Sequence, residues 1–325
     1  MPLLLRCFFV VVLLANLAPA QVPAPKPDPA FVPLPSDEKE PEKPAKPVYT
    51  YAGKPIKLPF ECGEKDIEAF GLACSSDEPC ETYLELSGIE QTSQRLFLTG
   101  NLHTSTTTLW SILLVSEDGG TTWSEPIERM RSTGLEQIQF VDPEYGWIGG
   151  QQLQALPRDP FLLVTTNGGA SWRKQAISGE SRVGAIERFY FEDRNNGFLL
   201  IDRTQTGDSG GRHEYYESKS GGDSWGLRQV SDKPIALKRP RLPNDTLRIR
   251  PDARTQSFRI ERNTPKGWQM VASFLVKVGE CRMDEYELKE PPPPPETEQK
   301  EDLIIVVPSE PGKTPRRPPT LRKKK

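Results

Sequence analysis

Three times along this chain the same short turn sequence returns, and each time it closes on a tryptophan. It reads Ser116-Glu117-Asp118-Gly119-Gly120-Thr121-Thr122-Trp123, then Thr165-Thr166-Asn167-Gly168-Gly169-Ala170-Ser171-Trp172, then Ser218-Lys219-Ser220-Gly221-Gly222-Asp223-Ser224-Trp225. The tryptophans stand 49 and 53 residues apart. A period of that size marks a row of small supersecondary units, none of which can bury its apolar face alone. A worn fourth copy is read at Asn263 and Trp268, which repeat the spacing of Asp118 and Trp123.

Each unit reads as four strands. Leu135 to Phe140 alternates apolar and polar residues, the mark of a strand with one buried face. A turn through Asp142 and Pro143 leads to a second strand at Trp147, a third runs from Phe161 to Val164, and the repeated motif turns it into a fourth at Trp172. The next unit follows the same plan from Ile186 to Phe191, Phe198 to Ile201 and Glu214 to Glu217. Paired glycines permit positive φ in a tight hairpin. The Asp or Asn oxygen accepts backbone N–H groups there, and the tryptophan supplies a large apolar block for packing.

The pattern Ser/Thr-x-Asp-x-Gly-x-Ser/Thr-Trp resembles the Asp-box, or BNR, repeat of β-propellers. The resemblance implies an all-β fold: a small β-propeller of four or five blades, each of four antiparallel strands. It gives Ser116, Asp118, Gly120, Trp123, Asn167, Gly169, Trp172, Gly222 and Trp225 structural roles. The repeats fall at about 82–130, 131–178, 179–230 and 231–276, with residues 48–80 supplying part of a fifth; an open stack is the alternative. A second motif, Phe-x-Asp-x-x-x-Gly-aromatic, spans Phe140 to Trp147 and Phe191 to Phe198. Paired with the box, it is similar to the propeller family of photosystem II assembly and stability factors over roughly residues 82–276. That resemblance implies a non-enzymatic scaffold that grips a protein partner.

Residues 1–20 read as a signal peptide: Arg6, an apolar run from Phe8 to Leu14, and a small-residue cleavage site at Ala18-Pro19-Ala20. The expected product is exported, to the periplasm or beyond, and no later segment is long and apolar enough to span a bilayer. Of 33 prolines, 11 lie in residues 1–50 and 10 in residues 288–325. Residues 21–47 are therefore expected to be a solvated linker and 288–325 a disordered tail with a basic end. The propeller is left with residues 48–287. Cys62, Cys74, Cys80 and Cys281 make two disulfides in an exported chain, with three possible pairings. Cys74–Cys80 and Cys62–Cys281 are preferred, the second tying together the ends of the folded region. The spacings do not resemble a zinc site, and no metal or cofactor is expected.

A net charge of −3 offers no basic field for nucleic acid. Because antiparallel strands alternate direction, the repeated motifs lie on one face, and the loops between second and third strands and the connections from each fourth strand to the next unit lie on the other. The loops are Asn101 to Thr108, Gln151 to Pro160 and Asp202 to His213, which carry His103, Arg158 and His213. The connections carry Arg129, Arg131, Arg182, Arg228 and Lys233. Gathered at a channel mouth, these cations would form a patch for an acidic partner; interspersed Glu125, Glu128, Glu180 and Asp232 favour solvated loop charge instead.

No catalytic residue is assigned. Gly207 to Gly211 matches the nucleophile segment of chymotrypsin-like proteases, but His103 lacks the required setting. The sialidase resemblance would require an arginine triad, a tyrosine–glutamate pair and an acid. Phe258-Arg259-Ile260-Glu261 lacks the proline of the first arginine's segment, and Tyr215 and Tyr216 fit a blade strand. The alternative function is a glycan-directed protein, lectin-like or a diverged glycosidase. The apolar island Asp302 to Pro308 would add to a partner's sheet edge or fold back onto the propeller, with an inert patch as the alternative, and Arg316, Arg317 and Arg322 to Lys325 would touch an anionic surface.

Overall fold

The computed structural model describes residues 47–206, 212–236 and 246–283. The expected signal peptide and linker to residue 46, the Gly207–Gly211 loop and the tail from residue 284 lie outside them. In chain order, a short strand β1 (Val48–Thr50) precedes the helix α1 (Glu64–Phe70). Sheet I follows as β2 (Cys80–Thr92), β3 (Arg95–His103), β4 (Thr108–Ser116) and β5 (Thr122–Ser124), with β6 (Met130–Arg131) on β4. Sheet II holds β7 (Thr133–Phe140), β8 (Gly146–Leu153), β9 (Pro157–Thr165) and β10 (Arg173–Ala176). Sheet III holds β11 (Ala185–Phe191), β12 (Gly197–Asp202), β13 (His213–Ser218) and β14 (Gly226–Ser231). Sheet IV has β15 (Leu247–Asp252), β16 (Ser257–Thr264) and β17 (Gly267–Leu275), after which β18 (Lys277–Cys281) returns to β2. Each sheet is an antiparallel meander, and the four are the blades of a small all-β propeller.

The repeated motifs form the hairpin turns between third and fourth strands of sheets I, II and III. Asp118 accepts the backbone N–H groups of Thr121 (3.0 Å) and Thr122 (2.9 Å), while Ser116 Oγ accepts that of Gly120 (2.7 Å). These donors hold the Asp118 carboxyl down at about 2, the Thr122 N–H contributing most. Gly169 needs its glycine twice: φ is +83°, and an added Cβ would lie 2.7 Å from Phe97 of sheet I. Each turn thereby packs on the preceding sheet. The worn fourth copy is corrected: Asn263 and Trp268 pair directly across a plain hairpin.

Apolar clusters join sheets IV and I around Trp123 and Phe274, I and II around Phe97 and Ile138, and II and III around Trp147 and Phe191. Among the described residues no buried cluster joins III to IV. Trp147 and Phe191 stack at 3.9 Å, with ring planes 7° apart. Side-chain amides add cross-sheet bonds: Gln139 donates to Phe191 O (2.7 Å) and accepts Phe191 N–H (2.9 Å), and Asn101 does the same with Leu135. They replace the ladder that neighbouring sheets lack, so their buried backbone groups stay satisfied.

Residues 48–80 do not begin a fifth blade. β1 pairs with the outer strand β5, and Ile56 then bridges β17 of sheet IV, accepting Leu275 N–H (2.8 Å). One short segment thus clasps sheets I and IV. Cys62–Cys281 and Cys74–Cys80 are the bonded pairs, and β18 places Cys281 opposite Cys80 in the register with β2.

Glu90, in β2, is half-buried and takes the backbone N–H of Gln91 (3.1 Å). Burial pushes its carboxyl up to about 7, against the lowering effect of Gln91 and Phe140 N–H groups. A folded-state value above the unfolded one favours the protonated form. Its stabilising contribution is full below the unfolded value near 4.5 and is lost as pH rises through about 7. Glu90→Gln is therefore expected to flatten thermal stability between pH 5 and 8 and raise the melting temperature at pH 8. Circular-dichroism melts across that range check both effects.

Candidate binding cleft

Most of the predicted cations are each held by a carboxylate of their own. Arg129 is held by Glu125 through two bonds (2.8 and 2.9 Å), and Tyr49 donates to the same carboxylate. Arg131 lies in β6, not in a connection; it bonds Asp66 and sits over the rings of Phe70 and Trp110. Arg228 is also a strand residue, in β14, paired with Glu217 (2.9 Å). Lys233 is exposed in a turn closed by Ser231. Arg158, within β9, donates to Ser181 Oγ (2.8 Å) beside Asp159. His103 bonds Thr104 O (2.8 Å), and the buried His213 lies 3.4 Å from Glu187. Paired carboxylates within reach neutralise most of these guanidinium groups, and this is why charge counting along the sequence exaggerated the patch. Two of the expected loops are also shorter, 104–107 and 154–156, because their flanking strands run further.

Arg182 is different. It lies in the connection from β10 to β11, on the face opposite the repeated turns, and reaches across to β13 of sheet III. There it donates to Tyr216 Oη (2.9 Å) and to Glu214 Oε1 (2.9 Å). Arg203, just past β12, donates to the same Glu214 oxygen (3.0 Å), and Tyr216 donates to Glu214 Oε2 (2.6 Å). Glu214 is 4% exposed, and two guanidinium groups and a phenol fill both of its oxygens, as a buried carboxyl group requires. Burial pushes the Tyr216 phenol up, with Glu214 adding to the effect and Arg182 opposing it. Pro160, Ile177, Ser178, Val183, Ile201 and Trp225 complete a cleft of about 200 Å³ between sheets II and III.

Sequence reasoning found Arg182 but missed Arg203, Glu214 and Tyr216 as its partners. One signal was present: Glu214 stands in phase with Tyr216 and Ser218 on the inward side of β13. A carboxylate at an inward strand position requires a buried cation nearby. Tyr215, one residue away, faces the other side and donates to Glu217 (2.9 Å). Among the described residues, no three His, Cys, Asp or Glu side chains converge as a metal site, and no helix is long and apolar enough to cross a membrane.

No protein-family description matches the chain, and no curated protein does. Among solved structures, it resembles YCF48 bound to D1 peptide at 16% identity and a TM-score of 0.33, over 59% of this chain and 56% of that one. It also resembles a xyloglucanase from Xanthomonas campestris (18%, TM-score 0.31, 42% of this chain and 19% of that one). An α-L-arabinanase from Penicillium chrysogenum complexed with arabinobiose gives 13% and 0.34, over 70% and 66%. The chain thus spans about half the length of the first of these. The fold is shown by the sheets themselves, and nothing about activity follows from such distant likenesses.

Proposed function

We propose that the chain is a non-enzymatic binding module that grips a protein partner on the face opposite its repeated turns, at the seam of sheets II and III. The supporting observation is the cleft itself: apolar walls around a bonded cluster of Arg182, Arg203, Glu214 and Tyr216. Apolar surface with a few convergent polar groups is the usual make-up of a recognition site. Ser178→Trp tests the reading. Ser178 lines the cleft and makes no bond to Glu214, and an indole at that position takes up the cleft's space. Used as bait in an extract of its own cells, the full chain is expected to capture one protein that the variant loses, with melting temperatures alike. Equal capture by both would exclude this seam.

A glycan-directed function is the second reading. What favours it is the Tyr216–Glu214 bond of 2.6 Å beside Arg182 and Arg203, a tyrosine–glutamate pair flanked by arginines. Against catalysis stands the upward-shifted Tyr216 phenol, a poorer nucleophile at neutral pH. Release of sugar from sialylated or uronic-acid glycans by the full chain would favour this reading over the first.

A further inference from the structure

We infer that the outer edge of β17, in sheet IV, is a strand-acceptor site whose occupant is residues 303–307 of the same chain. The inference concerns sheet IV alone and does not rest on the cleft between sheets II and III.

Sheets II and III each have four strands, and sheet IV has three. Its last strand, β17, is paired with β16 on one side. On the other side only the end near β18 is covered, where Ser273 O accepts the N–H of Ile56 and Leu275 donates its own to Ile56 O (both 2.8 Å). Among the described residues no backbone partner lies on that side of Gly267 to Met270, and all four residues are exposed. Trp268 is 39% exposed and Met270 42%. They stand two residues apart in the strand and so share one face. An unpaired edge with large apolar side chains is a template for another strand, and native proteins normally cover it or guard it with charge.

The sequence beyond the described residues supplies the occupant. Residues 303–307 read Leu-Ile-Ile-Val-Val, branched side chains suited to a strand, bounded by Asp302 and Pro308. Side chains alternate across a strand, so either face of this segment offers apolar contact to Trp268 and Met270. The described chain ends at Met283, just past β18. The connector of residues 284–302 spans about 60 Å when extended, far more than the ~18 Å radius of gyration of a domain this size. It holds eight acidic and two basic side chains, whereas residues 247–275 of sheet IV hold six basic and two acidic. The connector and the sheet therefore attract one another. Sheet III also exposes apolar side chains on its outer strand, Leu227 and Val230 at 50% each. It already has four strands, and its residues 185–231 hold eight acidic and six basic side chains, which offer an acidic connector no attraction. Tethering favours the chain's own segment over that of a second copy, because a short flexible linker sets an effective concentration on the order of millimolar.

The test is amide hydrogen exchange of the full chain, read by mass spectrometry over residues 267–272, 303–307 and, as a control, β8. Successive N–H groups of a strand point to opposite sides, so prolines at two adjacent positions remove a bond to β17 whichever way the segment lies. The full chain is expected to be monomeric by light scattering and to protect both segments. Ile304→Pro combined with Ile305→Pro is expected to speed exchange at 267–272 about tenfold or more, with β8 unchanged. Unprotected 303–307 in the full chain overturns the inference, as does equal exchange at 267–272 in the two proteins. Protection found only in a dimer assigns the strand to a second copy and overturns it as well. A peptide of residues 301–309 carrying a nitroxide, added to the double-proline chain, gives a second readout. It is expected to broaden the amide resonances of β17; no broadening there, or broadening of β14 in its place, overturns the assignment.

Discussion

Replacing Cys62 and Cys281 together with serine is expected to destabilise the fold by about 5 kcal/mol. The bond closes a loop of 219 residues, and chain-entropy reasoning assigns cross-links of that length roughly this value. The six-residue loop of Cys74–Cys80 is worth only about 2 kcal/mol on the same scale. The larger bond also ties the segment that clasps sheets I and IV to β18, which itself pairs with β2. Denaturant melts of the two double-serine variants, under non-reducing conditions, give the comparison directly. If the short loop proves the more costly to open, β18 and the Ile56 bridge are holding the ends together without help from the bond.

Trp123→Ala is expected to cost about 3–5 kcal/mol, the range for truncating a large buried aromatic side chain. Trp123 is 1% exposed, donates to Gly120 O, and meets Phe274 of sheet IV edge-on at 5.4 Å. Tyr49 of β1 is its cross-strand partner. Its loss opens a cavity where three chain segments meet, and none of them can collapse without breaking its own hydrogen bonds. Trp268→Ala makes the contrast: this ring is 39% exposed and stacks with Arg248 at 4.0 Å, a contact worth about 1 kcal/mol or less. Similar losses in the two variants would mean that sheet IV carries more of the fold than its burial indicates.

The sequence made sheets II and III plain and sheet I only partly so. Repetition and alternation are local signals, and residues 133–231 fold almost wholly by local hairpins. Val48 and Lys277 belong to strands whose partners lie far along the chain, and their sequences carry no turn motif that would announce it. The same distance hid the cleft. Arg182 lies 32 residues from Glu214, and the bond exists only because sheets II and III pack face to face. Trp225 was assigned the role of its two counterparts because the motif looks alike. What separates it is that Gln175, on another sheet, occupies the Gly222 carbonyl its indole would otherwise meet, and no pattern within the motif could reveal that.

The joining of Cys62 to Cys281 also decides how the protein answers to force. Held by its two ends, the chain passes tension across a single covalent bridge, and residues 63–280 bear none of it. Among the described strands and bridges, only β1 and the Ile56 bridge lie outside that protected loop. Under load these would peel away first, uncovering the outer edges of sheets I and IV, while the cleft between II and III kept its shape.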